Sequence, residues 1–144
     1  MTLDEIFDEF EKDSKFDRTE LGDESLKIAK LHAKYFRMFS NERLRLKSMQ
    51  QKYNELHKAK YEYYMGTLSE EEHQLRGWEP NPLRILKADI PMYLDSDSDL
   101  GGINIKIDYQ KEKINALEGI IKHLNARGFQ IKAAIDWEKF KAGI

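Results

Sequence analysis

Three short stretches carry residue types that could do chemistry. Residues 58–66 read K-A-K-Y-E-Y-Y-M-G: two lysines at alternate positions, three tyrosines within the next four, then a glycine. Cations that track phosphates, set beside aromatic faces on which bases stack at about 1–3 kcal/mol per base, are what a single-strand nucleic-acid surface requires. The run D-S-D-S-D at 95–99 places carboxylates at alternate positions, as the start of a calcium loop does. Its sixth and twelfth positions are Leu100 and Lys106, where the loop needs a turn glycine and a bidentate glutamate, so a solvated loop is the better reading. Gly101-Gly102 lacks the lysine-bearing framework that cradles phosphates in nucleotide hydrolysis. His32, His57, His73 and His123 show no metal-ligand spacing, there is no cysteine, and no nucleophile elbow is present. The expectation is a protein with no catalytic residue, no metal site and no cofactor.

The first stretch closes a segment of unusual charge. Residues 1–24 hold ten acidic side chains against three basic ones, whereas residues 25–60 hold ten basic against two acidic, a net +8. Helices that merely present a wet face interleave acids with bases to gain pairs four residues apart. An excess of this size calls for a polyanion or an acidic neighbour, and nucleic acid rewards it through released counterions regardless of sequence. Arg43, Arg45, Lys47, Lys52, Lys58 and Lys60 are the candidate phosphate contacts, with Tyr61 and Tyr64 as candidate stacking faces.

The elements that position these residues read as helices. Thr2 and Glu5 can form a capping box for a short acidic helix with Leu3, Ile6, Phe7 and Phe10 on one stripe. Asp17 and Glu20 offer a second box, after which the pattern stays helical to a C-cap at Gly66. Ile28, His32, Tyr35, Phe39, Glu42, Leu46, Met49, Tyr53, Leu56, Lys60 and Tyr63 follow at steps of four and three, the seam of a helical bundle, interrupted by the charges of Glu42 and Lys60. A lysine on the seam is expensive unless the seam opens there or a phosphate reaches it. Prolines, glycines and the acidic run make 67–102 an irregular connector, with L-R-I-L-K and I-P-M-Y-L as short extended pieces. From 103 the periodicity returns, and Gly128 reads as a C-cap dividing a C-terminal helical hairpin. The predicted fold is all-α, in three regions: 1–66 for DNA binding, the connector 67–102, and 103–144 for oligomerisation. Ile114, Leu117, Ile121, Leu124, Phe129, Ile135, Trp137 and Phe140 exceed what a hairpin can bury alone, so they should pack on the long helix or on further copies. The 35% charged content and mean hydropathy of −0.74 also suit an assembling subunit. No apolar run approaches spanning length and the N-terminus does not read as a signal peptide, so a soluble intracellular protein without a membrane partner is expected.

At these motifs the chain resembles the UvsY recombination mediators of T-even-like bacteriophages. The 58–66 block is similar to that family's K-A-R motif followed by a short gap, Y-Y, one residue and G. The tail A-R-G-F-Q-I-K, with F-K-A-G after it, is similar to the family's R-G-F-x-I-K and F-x-A-G ending, and L-K-A-D at 86–89 is a weaker match. The resemblance covers nearly the full length. It implies a non-catalytic mediator acting in the cytoplasm of an infected bacterial host as a homo-oligomeric ring, a hexamer or heptamer, assembled through its C-terminal region. Its implied partners are single-stranded DNA, the phage single-strand-binding protein it weakens, and the RecA-like phage recombinase it loads. The K-A-R cations that contribute to DNA binding correspond to Lys58 and Lys60; the second keeps the charge but lacks the planar fork of arginine.

A different class of function stays open on the residues alone: a coiled-coil adaptor whose basic helix pairs with an acidic protein. A salt-sensitive DNA affinity separates the two.

Overall fold

The N-terminal capping box forms. The Glu5 amide donates to Thr2 Oγ1 at 3.1 Å and the Thr2 amide to Glu5 Oε2 at 2.8 Å, opening α1 (Leu3–Asp13). The computed structural model describes residues 1–144. Its regular structure is five α-helices and one 3-10 turn at 87–89, with no strand, so the chain is all-α. The long basic helix is α2 (Leu21–Met65), 45 residues ended by Gly66 at φ +76°. It begins later than a capping box at Asp17 and Glu20 would give. Asp17 instead closes a tight turn by accepting from the Thr19 amide and hydroxyl, and Glu24 accepts from the Asp17 amide.

The chain forms two compact units, residues 1–44 with 110–144, and residues 45–109. Two long helices each contribute to both units.

In the first unit α1, the start of α2 and the later part of α5 (Ser98–Lys141) meet around Ile6, Leu31, Tyr35, Leu117, Ile120 and Leu124, all buried. Each such side chain contributes about 1.5–3 kcal/mol through removal from water. Gly128 faces Ile28 and Gln110 meets Glu42, so the two long helices are antiparallel here. The charge that interrupts the seam at Glu42 is matched from α5. Lys113 Nζ lies 3.2 Å from its carboxylate, and Gln110 Nε2 donates to both Glu42 Oε2 (2.6 Å) and the Glu42 carbonyl (2.9 Å).

The expected C-terminal hairpin is one uninterrupted helix: α5 runs 44 residues through Gly128. Gly128 keeps a helical, negative φ, and its bare Cα lies against α2, where an added Cβ would sit 3.9 Å from Ile28 Cγ2. The glycine marks a helix–helix contact, and packing against α2 outweighs its weak helix propensity.

The second unit gives the connector more structure than its texture suggested. Ser69 caps α3 (Glu70–Arg76), accepting from the Glu72 amide, and Gly77 ends it at φ +68°. I-P-M-Y-L is not extended but forms α4 (Ile90–Asp95), with Pro91 in the first turn, where a missing amide costs nothing. L-R-I-L-K pairs in no strand, though Leu86 keeps an extended backbone before the 3-10 turn. The acidic run is not a solvated loop: Asp95 ends α4 and Asp97 caps α5 by accepting from the amides of Asp99 and Leu100, both at 3.0 Å. Ile90, Leu94 and Leu100 form the core, packed by Tyr53, Leu56, Tyr64 and Ile85. No helix is long and apolar enough to cross a membrane.

Candidate nucleic-acid interface

Within the second unit α2 turns 100° per residue, so positions seven, four and three apart line up. Lys47, Asn54, Lys58 and Tyr61 therefore share one stripe, about 21 Å long at 1.5 Å per residue. All four are exposed. Arg45 and Lys52, also exposed and seven residues apart, lie on a different flank about 160° around the same helix. The six candidate cations thus do not form one patch. Arg43, in the first unit, is exposed with its guanidinium 5.5 Å from the Phe39 ring.

Lys60 is buried, and Tyr64 is half-buried against the core of the second unit. The Lys60 side chain is 8% exposed, and its Nζ lies 2.8 Å from Asp99 Oδ2, 3.1 Å from Asp97 Oδ2 and 4.1 Å from the centre of the Trp78 ring. Asp97 is 5% exposed, and Tyr64 Oη donates to it at 2.6 Å. Burial pushes the Asp97 carboxyl up, but the hydrogen bonds from Tyr64 and the Leu100 amide, together with Lys60, outweigh it and hold the group below the usual carboxylate range. Tyr63 completes the cluster, its ring 5.5 Å from Trp78 and 5.6 Å from His73. The seam stays closed at Lys60 because two carboxylates and an indole face replace water. Sequence reasoning missed Asp97, Asp99 and Trp78 as its partners. The available signal was the alternate-carboxylate run itself, read there as a loop.

A second part of the basic segment is also matched within the chain. Lys34 Nζ lies 2.6 Å from both Glu9 Oε1 and Asp13 Oδ2 of α1, and Tyr35 Oη donates to Asp13 at 2.8 Å. Burial raises the Asp13 carboxyl, yet the hydrogen bonds from Lys34 and Tyr35 leave it below its ordinary value, while burial and Asp13 together push the Tyr35 hydroxyl far up. The acidic helix thus matches Lys34 of the basic one, while Lys47, Lys52 and Lys58 lie exposed at the surface.

The eight candidate oligomerisation residues divide similarly. Leu117 and Leu124 are fully buried in the core of the first unit and Ile121 packs against it, so packing on the long helix accounts for them. Ile114 and Ile135 are half-buried. Phe129, Trp137 and Phe140 are 76%, 57% and 73% exposed, with the Trp137 and Phe140 rings stacked at 5.5 Å. Trp137 and Phe140 thus leave apolar ring faces at the surface near the end of α5.

No group of three or more histidine, aspartate or glutamate side chains is arranged to hold a metal ion.

The family profile described as "Recombination, repair and ssDNA binding protein UvsY" matches residues 9–144. The recombination protein UvsY of Enterobacteria phage T4 is 24% identical over 143 residues, covering 99% of each chain. Two crystal structures of the bacteriophage T4 recombination mediator protein UvsY share the fold, each with a TM-score of 0.85. One is 24% identical over 99% of this chain and 98% of the other; the second is 23% identical over 97% and 99%. The exposed basic stripe, the helical architecture and a match that spans almost every residue lead to one conclusion: the chain belongs to the UvsY family of recombination, repair and single-stranded-DNA-binding proteins.

Proposed function

We propose that this protein is a non-catalytic recombination mediator that binds single-stranded DNA through the exposed stripe of Lys47, Lys58 and Tyr61, with Arg43, Arg45 and Lys52 as further phosphate contacts. The observation that carries this reading is the pairing of Lys58 with Tyr61 on one exposed face, three residues apart, in a member of this family. A cation beside an aromatic face serves a flexible strand, whose bases can unstack onto the ring, better than a duplex, whose bases cannot.

Phe129, Trp137 and Phe140 are the contacts through which copies assemble into a ring. A hexamer or heptamer repeats the stripe around one particle, so that individually weak phosphate contacts gain avidity. A strand held by several subunits is strained away from the phage single-strand-binding protein, and the freed strand is delivered to the RecA-like phage recombinase. The work takes place in the cytoplasm of the infected bacterial host and involves no membrane.

The adaptor alternative loses much of its motive, because Lys34 and Lys60 already find their acids within the chain. Fluorescence anisotropy of a labelled single-stranded oligonucleotide, titrated at several salt concentrations against duplex competitor, tests the proposal. Binding that prefers the single strand and falls steeply with salt is the expected result. No binding at low salt would reject the DNA role in favour of an acidic protein partner.

A further inference from the structure

The two lysines of the K-A-K motif are two residues apart in sequence and unlike in circumstance. Lys58 is exposed, whereas Lys60 is buried and touches three separate segments: its own helix, the Trp78 loop that follows α3, and the acidic start of α5. A phosphate could approach Lys60 past Asp99, whose side chain is 56% exposed, but the ammonium would still be held by Asp97, which is itself buried, caps α5 through two amides and accepts the Tyr64 hydroxyl. Moving it would uncover several polar groups together, and a single solvated phosphate contact does not offset that.

We propose that Lys60 is a positioning residue and not a DNA contact. Its ammonium fastens the end of α2 to the start of α5 and to Trp78, and this fixes the direction in which Lys58 and Tyr61 point from the last turns of α2. Its influence on DNA binding runs through Asp97 and the fold of the second unit. The inference rests on the proposed DNA role of the stripe, and its test separates the two.

The test compares Lys58→Ala, Lys60→Met, Lys60→Met with Asp97→Asn, Asp99→Asn and Asp95→Asn, reading melting temperature and the salt dependence of single-strand affinity. Lys58→Ala should lower the salt slope by up to about one unit with melting unchanged. Lys60→Met should lower the melting temperature by on the order of 10 °C and weaken binding equally at every salt concentration, with the slope kept. Adding Asp97→Asn should recover most of both losses, because no buried carboxylate is then left without its cation. Asp99→Asn should tighten binding no more than Asp95→Asn, an exposed acid of the same run with the same change in charge. The proposal is overturned if Lys60→Met lowers the slope while melting is unchanged and Asp97→Asn recovers nothing. It is equally overturned if Asp99→Asn alone tightens binding well beyond its control, since a released Lys60 would then be finding phosphate. If the Lys60 variants do not fold, the Asp99 and Asp95 pair decides. A wild-type protein that binds no single strand would remove the DNA role, and recovery of melting temperature by Asp97→Asn would still report whether Lys60 acts through Asp97.

Discussion

The Glu42 carboxylate and the Lys113 ammonium meet at 3.2 Å with both side chains only 8% exposed, and Gln110 seals the pair from the next turn of α5. A buried pair of this kind adds little net stability over apolar side chains of equal volume, but removing one partner leaves a charge without solvent. Lys113→Met is therefore expected to destabilise the protein by about 3–5 kcal/mol. Glu42→Gln combined with Lys113→Met should restore most of that loss. Urea unfolding at fixed protein concentration measures both, and a double variant no better than the single one would mean that the pair does not act as a unit.

What the sequence conveyed and what it concealed follows from the range of the interactions. The Thr2–Glu5 box and the Gly66 stop are decided within a few residues, and both form as expected. The helical seam was legible too, because its period is a local property of α2. Partners were not. Glu42 and Lys60 looked like defects in the seam because the residues that complete them lie far along the chain, on α5, at its cap and after α3, 68 residues from Glu42 in the case of Gln110. Gly128 looked like a stop because a glycine that ends a helix and a glycine carried inside one that packing holds together have the same letter. Of the candidate site, exposure sorts the residues: Lys47, Lys58 and Tyr61 are displayed, whereas Lys60 is buried and Tyr64 half-buried, both held by Asp97, a partner that no periodicity announces.

The two glycines make opposite predictions. At Gly128 an added Cβ meets Ile28 at ordinary van der Waals distance in a helical backbone, so Gly128→Ala should stabilise the protein by about 1 kcal/mol through helix propensity. Gly66 holds φ at +76°, where an L-residue is strained, and Gly66→Ala should cost roughly 1–2 kcal/mol. Thermal unfolding of the two variants should shift in opposite directions. A loss at Gly128 would show that the helix pair closes more tightly there than 3.9 Å.

Acid should weaken the fold through Asp13 and Asp97. Both carboxyls are held below their ordinary range in the folded chain, so the unfolded chain takes up protons first, near pH 4. Their contribution is fully present above that value and is lost as pH falls through the folded values. At the alkaline end Tyr35 and Tyr64, both pushed up by burial and by their aspartate partners, favour the folded state until the unfolded hydroxyls ionise near pH 10; the benefit fades as pH rises further. Unfolding measured between pH 2 and 6 should show a steep acid limb that Asp97→Asn flattens. An unchanged limb would mean that Asp97 is not ionised against Lys60.

Assembly should be separable from folding, because the apolar residues near the end of α5 do different work. Leu117 and Leu124 are core, and charging either should unfold the first unit. Trp137 and Phe140 stack on each other at the surface, so Trp137→Glu with Phe140→Glu removes no internal contact of the core. The expected product is a dispersed subunit with its helical circular dichroism kept and its single-strand affinity reduced at least tenfold, since avidity multiplies affinities by a hundred or more when several sites act on one strand. Sedimentation velocity and anisotropy on the same preparation read both properties. A variant that still sediments as the wild-type particle would move the assembly surface elsewhere. One that disperses yet binds as tightly would mean that each subunit's stripe holds DNA unaided.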